Sequence, residues 1–174
     1  PAVGQGHELA GMCDFTIAAE DTIMGELQIR HGFGPPTLIT PFLTGPKHAK
    51  EILLLGERIN AQEALRMGLV NKVVPNDQLM ATAEEWAKKL AALPQGTVSS
   101  NKILINRVLD LAGFVAGMSY RDDPDIAALL AAQAGGGSAE SLRILREQGW
   151  EAFRKARDAQ YDDSQQVLGK DIPR

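Results

Sequence analysis

Val3-Gly4-Gln5-Gly6-His7-Glu8-Leu9-Ala10-Gly11-Met12-Cys13-Asp14 is the stretch on which the reading of this chain turns. Leu9, Met12 and Cys13 fall at helical spacing, so a short buried helix is expected to open at about Gln5 with those three residues on its inner face. Glu8 then stands in the first turn, where a carboxylate complements the partial positive charge of a helix N-terminus. Taken alone, such an acid is more often a solvated surface group, and Gly4-Gln5-Gly6 can be a plain turn. The run does not fit a dinucleotide-binding fingerprint, because it lacks a preceding strand and a third glycine at the right spacing.

Working outward, Phe15 to Ala19 is β-branched and aromatic enough for a strand, Glu20-Asp21 reads as a turn, and Thr22 to Gly25 as a second strand. Gly32, Gly34, Pro35 and Pro36 punctuate a loop. A helix is expected from Lys47 to Leu55, ending at Gly56. Asn60 with Glu63 three residues later resembles a capping box opening a helix from Ala61 to Met67, stopped by Gly68. Leu69 to Val74 reads as a strand closed by Pro75, with Asn76 placed to cap a helix from about Asp77 to Leu93.

Beyond Gln95 only helices are expected: Val98 to Leu111, Pro124 to Ala134 and Ala139 to Tyr161. They are separated by Arg121-Asp122-Asp123 and by Gly135-Gly136-Gly137. The last carries Leu142, Leu145, Gly149, Trp150, Phe153 and Ala156 as an apolar stripe too broad for a helix alone in water. The polar tail 162–174 is expected to be poorly ordered. The chain thus divides into an α/β part, 1–93, and an all-helical part, 94–174.

Composition narrows the function classes. With 174 residues, 44% of them hydrophobic, the chain is long enough to bury a substantial core, which argues against disorder. Eighteen Lys and Arg against 22 Asp and Glu give a net charge of -4, with no basic block to follow a phosphate backbone, so no nucleic-acid partner is expected. The longest apolar runs, Ile52 to Leu55 and Ala127 to Ala132, fall far short of the ~20 residues a membrane span requires. No membrane partner is expected either. Cys13 is the lone cysteine, expected to be a small buried hydrophobe, and no Cys/His cluster has metal-ligand spacing. A reducing, cytoplasmic setting follows. His7 and His31 lie near the opening segment, but a lone histidine is usually structural or solvent-exposed.

Taken with that opening run, several further segments in order resemble the enoyl-CoA hydratase/isomerase (crotonase) superfamily. They are Ile17-Ala18-Ala19-Glu20-Asp21, Met24-Gly25 where the family usually has Phe-Gly, Gly32, the run Leu54 to Ala64, and Gly68-Leu69-Val70-Asn71-Lys72-Val73-Val74-Pro75. Glu147, Gly149, Phe153 and Arg157 sit as in the family's last helix. The resemblance implies a crotonase-like (ClpP/crotonase) ββα spiral core, incomplete at the N-terminus, followed by a helical oligomerisation region that assembles homotrimers or hexamers. The part of the family's domain that would precede Pro1 supplies the first strands, one oxyanion-hole amide and much of the CoA-binding loop.

By the same resemblance the substrate is an acyl-CoA thioester, with coenzyme A part of the substrate and no separate cofactor or metal. Hydrating or isomerising such a thioester passes through an enolate whose oxygen is stabilised by main-chain amides, ideally at a helix N-terminus. The carry-over places one of these amides on Gln5, where the family more often has Gly, within the Gly4-Gln5-Gly6 loop, Gly6 admitting the substrate. Glu8 matches one of the two glutamates that handle the water and α-carbon protons. The second falls on Gln28, whose amide orients a partner but exchanges no proton; that departure leaves open an isomerase, acyl-CoA hydrolase or lyase on the same fold, or a non-catalytic CoA-binding or oligomerising subunit. Glu26, two residues upstream, would share its side in an extended segment.

Overall fold

The computed structural model describes residues 1–32, 34–35, 37–119, 122–133, 137–159 and 167–168. The side chains of His31 and Arg157, residues Pro36, Arg121, Ala134, Gly135, Gly136 and Tyr161, and the tail 162–174 apart from 167–168, on which expectations fell, lie outside what is described. Two small sheets organise the described residues, their strands drawn from the first half except for the last. Strands β1 (Ala2–Val3), β3 (Ile23–Gly25), β4 (Arg58–Asn60) and β6 (Val167–Leu168) line up in that order, while β2 (Ile17–Ala19) pairs with β5 (Lys72–Val74). The pairings β1/β3, β2/β5 and β4/β6 are parallel, and β3/β4 is antiparallel.

Parallel pairing of β1 with β3 is what builds the site. Their register sets Val3 opposite Gly25, so both strands leave the sheet at the same end. From that end β1 runs into helix α1 (Gln5–Met12), and β3 runs through Glu26 into a 3₁₀ turn (Leu27–His31). Gly4 N–H donates to Gly25 O at 2.8 Å and ties the two exits together. A strand does therefore precede the glycine run, although the third glycine of a dinucleotide fingerprint is still missing.

Met24 and Ile59, opposite each other across β3/β4, are buried with Ile52, Ala61, Ala64, Met67, Leu69 and Val70 in one apolar cluster. Helix α2 (Thr40–Leu55) carries Ile52 into it and is broken at Gly45, so its second limb matches the expected helix and its first extends ahead of it. Helix α3 (Ala61–Met67) begins as expected: Glu63 N–H donates to Asn60 Oδ1 at 2.8 Å. The reciprocal half of the capping box does not form, because the Glu63 carboxylate turns to Arg66 instead. Replacing Asn60 with Ala removes the cap and is expected to lower stability by about 1 kcal/mol, read as a shift in the denaturation midpoint.

The remaining helices are α4 (Leu79–Ala92), α5 (Gln95–Leu111), α6 (Phe114–Met118), α7 (Pro124–Gln133) and α8 (Gly137–Asp158). Asn76 does not cap α4: a 3₁₀ turn over Asn76–Gln78 intervenes, and no side chain caps the helix. Phe15 lies outside its expected strand, exposed and edge-on to Trp86. Helix α8 is broken at Gly149, and of its apolar stripe Phe153 is buried while Leu142 and Trp150 remain exposed. The tail is corrected at one point, since Val167–Leu168 forms a strand along β4.

Candidate active site

Helix α1 is oriented opposite to the sequence expectation. Its exposed face carries Leu9, Met12 and Cys13, and its buried face carries His7 and Glu8. Cys13 is thus not a buried hydrophobe; its Sγ rests 3.4 Å from Leu9 O. Spacing identified which residues share a face but not which face turns inward. The tie to β3 settles that by pressing the first turn against the Glu26–His31 segment.

Glu8 is 3% exposed, so it is not the solvated first-turn acid that its position alone would suggest. Gln28 Nε2 donates to Glu8 Oε1 at 3.1 Å, joining residues 20 apart in sequence. Glu8 and Gln28 therefore meet at the carboxyl ends of two parallel strands, where α/β proteins commonly seat ligands. The turn that carries Gln28 is anchored by Arg30, whose buried Nε–H donates to Gly56 O at 2.6 Å, at the negative end of α2.

The mouth of α1 is built from Gly4, Gln5 and Gly6. Gly4 adopts φ 59°, ψ -128°, a conformation suited to glycine, and a β-carbon there would touch the Gln28 side chain at 3.4 Å. Its own N–H is spent on Gly25 O, so it serves the mouth by conformation. No side chain caps the helix, and Gln5 and Gly6 are exposed, which leaves first-turn amides facing outward. Among the described residues only glycines have positive φ, so Gln5 occupies the usual glycine position without backbone strain.

Sequence reasoning undervalued three neighbours. Glu26 is 2% exposed, His7 is 1% exposed, and His7 Nε2 stands 3.4 Å from Thr40 Oγ1 and 3.9 Å from Glu26 Oε1. Burial pushes the Glu26 carboxyl up to about 8, the charge of Glu8 adds to this, and the Gln28 amide offsets it in part. Burial lowers His7 to about 4. Both are neutral at pH 7. An acid standing next to the strand residues Ile23 to Gly25 was the available signal for Glu26; Thr40 sat in a stretch with no pattern to place it.

These shifts give the fold a pH dependence. The unfolded carboxyl of Glu26 releases its proton near 4.5 and the folded one near 8, so stability drains away as pH rises through that window. His7 opposes this only below about 6.5, where the unfolded imidazole takes up a proton that the buried ring refuses until about 4. Between about pH 6.5 and 8 the stability is expected to fall by at most about 1.4 kcal/mol per pH unit, read as a falling melting temperature. In Glu26→Gln that fall is expected to disappear.

Beside these groups lies a cavity of about 40 Å³ lined by Glu26, Gln28, Ile29, Gly34, Pro35 and Leu53. A larger apolar groove, about 320 Å³, runs between α4 and α5 against Phe15. Its charged groups, Asp14 and Lys102, are paired with each other at 2.5 Å. The buried titratable groups gather at the smaller of the two. Among the described residues no three His, Cys, Asp or Glu side chains gather to hold a metal, and no helix is long and apolar enough to cross a membrane.

Residues 1–114, which include the whole site, match the family model described as enoyl-CoA hydratase/isomerase. The chain belongs to this family. It is 41% identical over 109 residues to a crotonyl-CoA hydratase of Syntrophomonas wolfei, covering 60% of this chain and 42% of that protein. It is 40% identical over 110 residues to a short-chain-enoyl-CoA hydratase of Clostridium acetobutylicum, covering 61% and 42%. A solved enoyl-CoA hydratase/isomerase from Xanthobacter autotrophicus Py2 superposes with a TM-score of 0.84 at 34% identity, over 92% of this chain and 60% of that one. The fold is therefore that of the crotonase superfamily, with few strands and a helical remainder. The chain spans about two-fifths of the length of the curated relatives it matches.

Proposed function

We propose that this chain carries the acid/base side of an enoyl-CoA hydratase site, acting on an acyl-CoA thioester whose coenzyme A is part of the substrate. The observation that carries the reading is Glu8, buried in the first turn of α1 beside outward-facing main-chain amides and held by Gln28 at 3.1 Å. The Gln5 N–H, reinforced by the helix dipole, stabilises the enolate oxygen, and Gly6 leaves room for its approach. Glu8 takes the proton from water as the water oxygen bonds to the β-carbon. Exposed apolar residues on α5, among them Ile103, Leu104, Val108 and Leu111, support the helical region as the surface through which copies assemble as trimers or hexamers.

The test is incubation of the protein that carries this chain with crotonyl-CoA, following loss of the conjugated-thioester absorbance. Turnover supports the reading, and CoA binding without turnover of any acyl-CoA defeats it. A second reading, double-bond isomerisation, is favoured by Gln28, because an amide exchanges no proton and one carboxylate suffices to move a proton between two carbons. Conversion of a 3-enoyl-CoA to the 2-enoyl isomer without hydration would select it.

A further inference from the structure

We propose that Glu26 is the second proton-transfer residue of this site, delivering a proton to the substrate's α-carbon from the cavity it shares with Gln28. The inference rests on the hydratase reading above and answers the question that reading leaves, namely what replaces a carboxylate at Gln28. Glu26 leaves β3 directly after Gly25, at the strand end where α1 begins. Neither of its buried oxygens accepts a hydrogen bond of good geometry, the Gln28 amide standing near enough only to offset part of the effect of burial; Gln28 Oε1 likewise has no partner, and both residues line the 40 Å³ cavity. Buried carboxyl oxygens are seldom left unsatisfied, and a purely structural acid at this depth would be expected to have a donor. His7 comes only to 3.9 Å and is turned to Thr40.

The two carboxyl groups divide the work as acid/base pairs do when their surroundings differ. Glu8 accepts a hydrogen bond from Gln28, whereas Glu26 holds its proton, burial having pushed it up to about 8. In the forward step Glu8 accepts a proton from water, the water oxygen bonds to the β-carbon, and the π electrons move onto the thioester oxygen. The enolate then collapses while the O–H bond of Glu26 breaks and its proton bonds to the α-carbon. Thioester and water have become the 3-hydroxyacyl thioester, with Glu8 protonated and Glu26 ionised. Proton return from Glu8 to Glu26 through solvent resets the site.

The titratable groups facing Glu26 from α1 are His7 and Glu8; α2 presents neutral Thr40, and Arg30 in the following turn is directed at Gly56. The kcat/KM for crotonyl-CoA is therefore expected to fall as pH rises past about 8. Glu26→Gln is expected to lose roughly 100-fold in kcat with KM little changed, to lose that alkaline limb, and to lose exchange of the α-hydrogens of butyryl-CoA with deuterated solvent. The double variant Glu26→Gln/Gln28→Glu returns a carboxyl to the neighbouring position and is expected to recover at least part of the rate. Full activity with an unchanged alkaline limb in Glu26→Gln overturns the proposal while leaving the hydratase reading intact, provided Glu8→Gln is inactive. An active Glu8→Gln defeats the hydratase reading itself. Should Glu26→Gln not fold, the unaltered protein decides, since a kcat/KM that stays level through pH 9 overturns the role of Glu26.

Discussion

Glu8→Gln is expected to lower kcat for crotonyl-CoA by roughly 10²–10⁴-fold, the usual worth of a positioned acid/base group, with a much smaller change in KM. The substitution keeps the shape of the side chain and its capacity to accept from Gln28 Nε2, so the 3.1 Å contact between the two segments survives. What is lost is the carboxylate through which the proposed proton transfer from water runs. A parallel loss of stability would indicate a structural part instead, and thermal melting of the variant separates the two. The uncapped first turn of α1 remains intact in Glu8→Gln, so acyl-CoA binding is expected to persist.

Gly25→Ala is expected to cost more stability than Asn60→Ala or Glu8→Gln, roughly 3 kcal/mol from strained backbone and steric overlap together. Gly25 has φ 146°, and a β-carbon added there would lie 2.7 Å from the carbonyl oxygen of Glu57, closer than atoms pack. Because that obstacle is backbone, β3 and β4 must separate to relieve it. Gly25 O also receives the Gly4 N–H at 2.8 Å, so the displacement reaches the mouth of α1. Activity is therefore expected to fall even at temperatures where Gly25→Ala remains folded, in contrast to Asn60→Ala, which weakens α3 without touching the site. Urea denaturation alongside crotonyl-CoA turnover distinguishes these outcomes.

Much of this was legible in the residues. Asn60 with Glu63 announced α3, Gly56 and Gly68 marked helix ends, and the order of short motifs from Gly4 to Pro75 placed Glu8 and Gln28 in one site. What escaped were elements defined by distant partners. Strands β1 and β4 are two and three residues long, too short for a period to show, and exist because β3 lies between them. Helix α1 displayed its apolar face plainly, yet in this chain that face points outward, its first turn being tied by hydrogen bonds from Gly4 to Gly25 and from Gln28 to Glu8. The pattern of Glu26 and Gln28 on one side was correct for a reason other than the extended backbone it presumed: Gln28 sits in a 3₁₀ turn, and the cavity brings the two together.

The proposed function stands on main-chain hydrogens at the mouth of α1 gripping the thioester oxygen beside Glu8. The most direct measurement is isotope-edited infrared spectroscopy of an acyl-CoA labelled with ¹³C at the thioester carbonyl and bound to the protein that carries this chain. The carbonyl stretch is predicted to move to lower frequency than in solution, in Glu8→Gln as well as in the unaltered protein, because amides rather than the carboxylate polarise the bond. A bound thioester whose stretch stays at its solution frequency would contradict that grip.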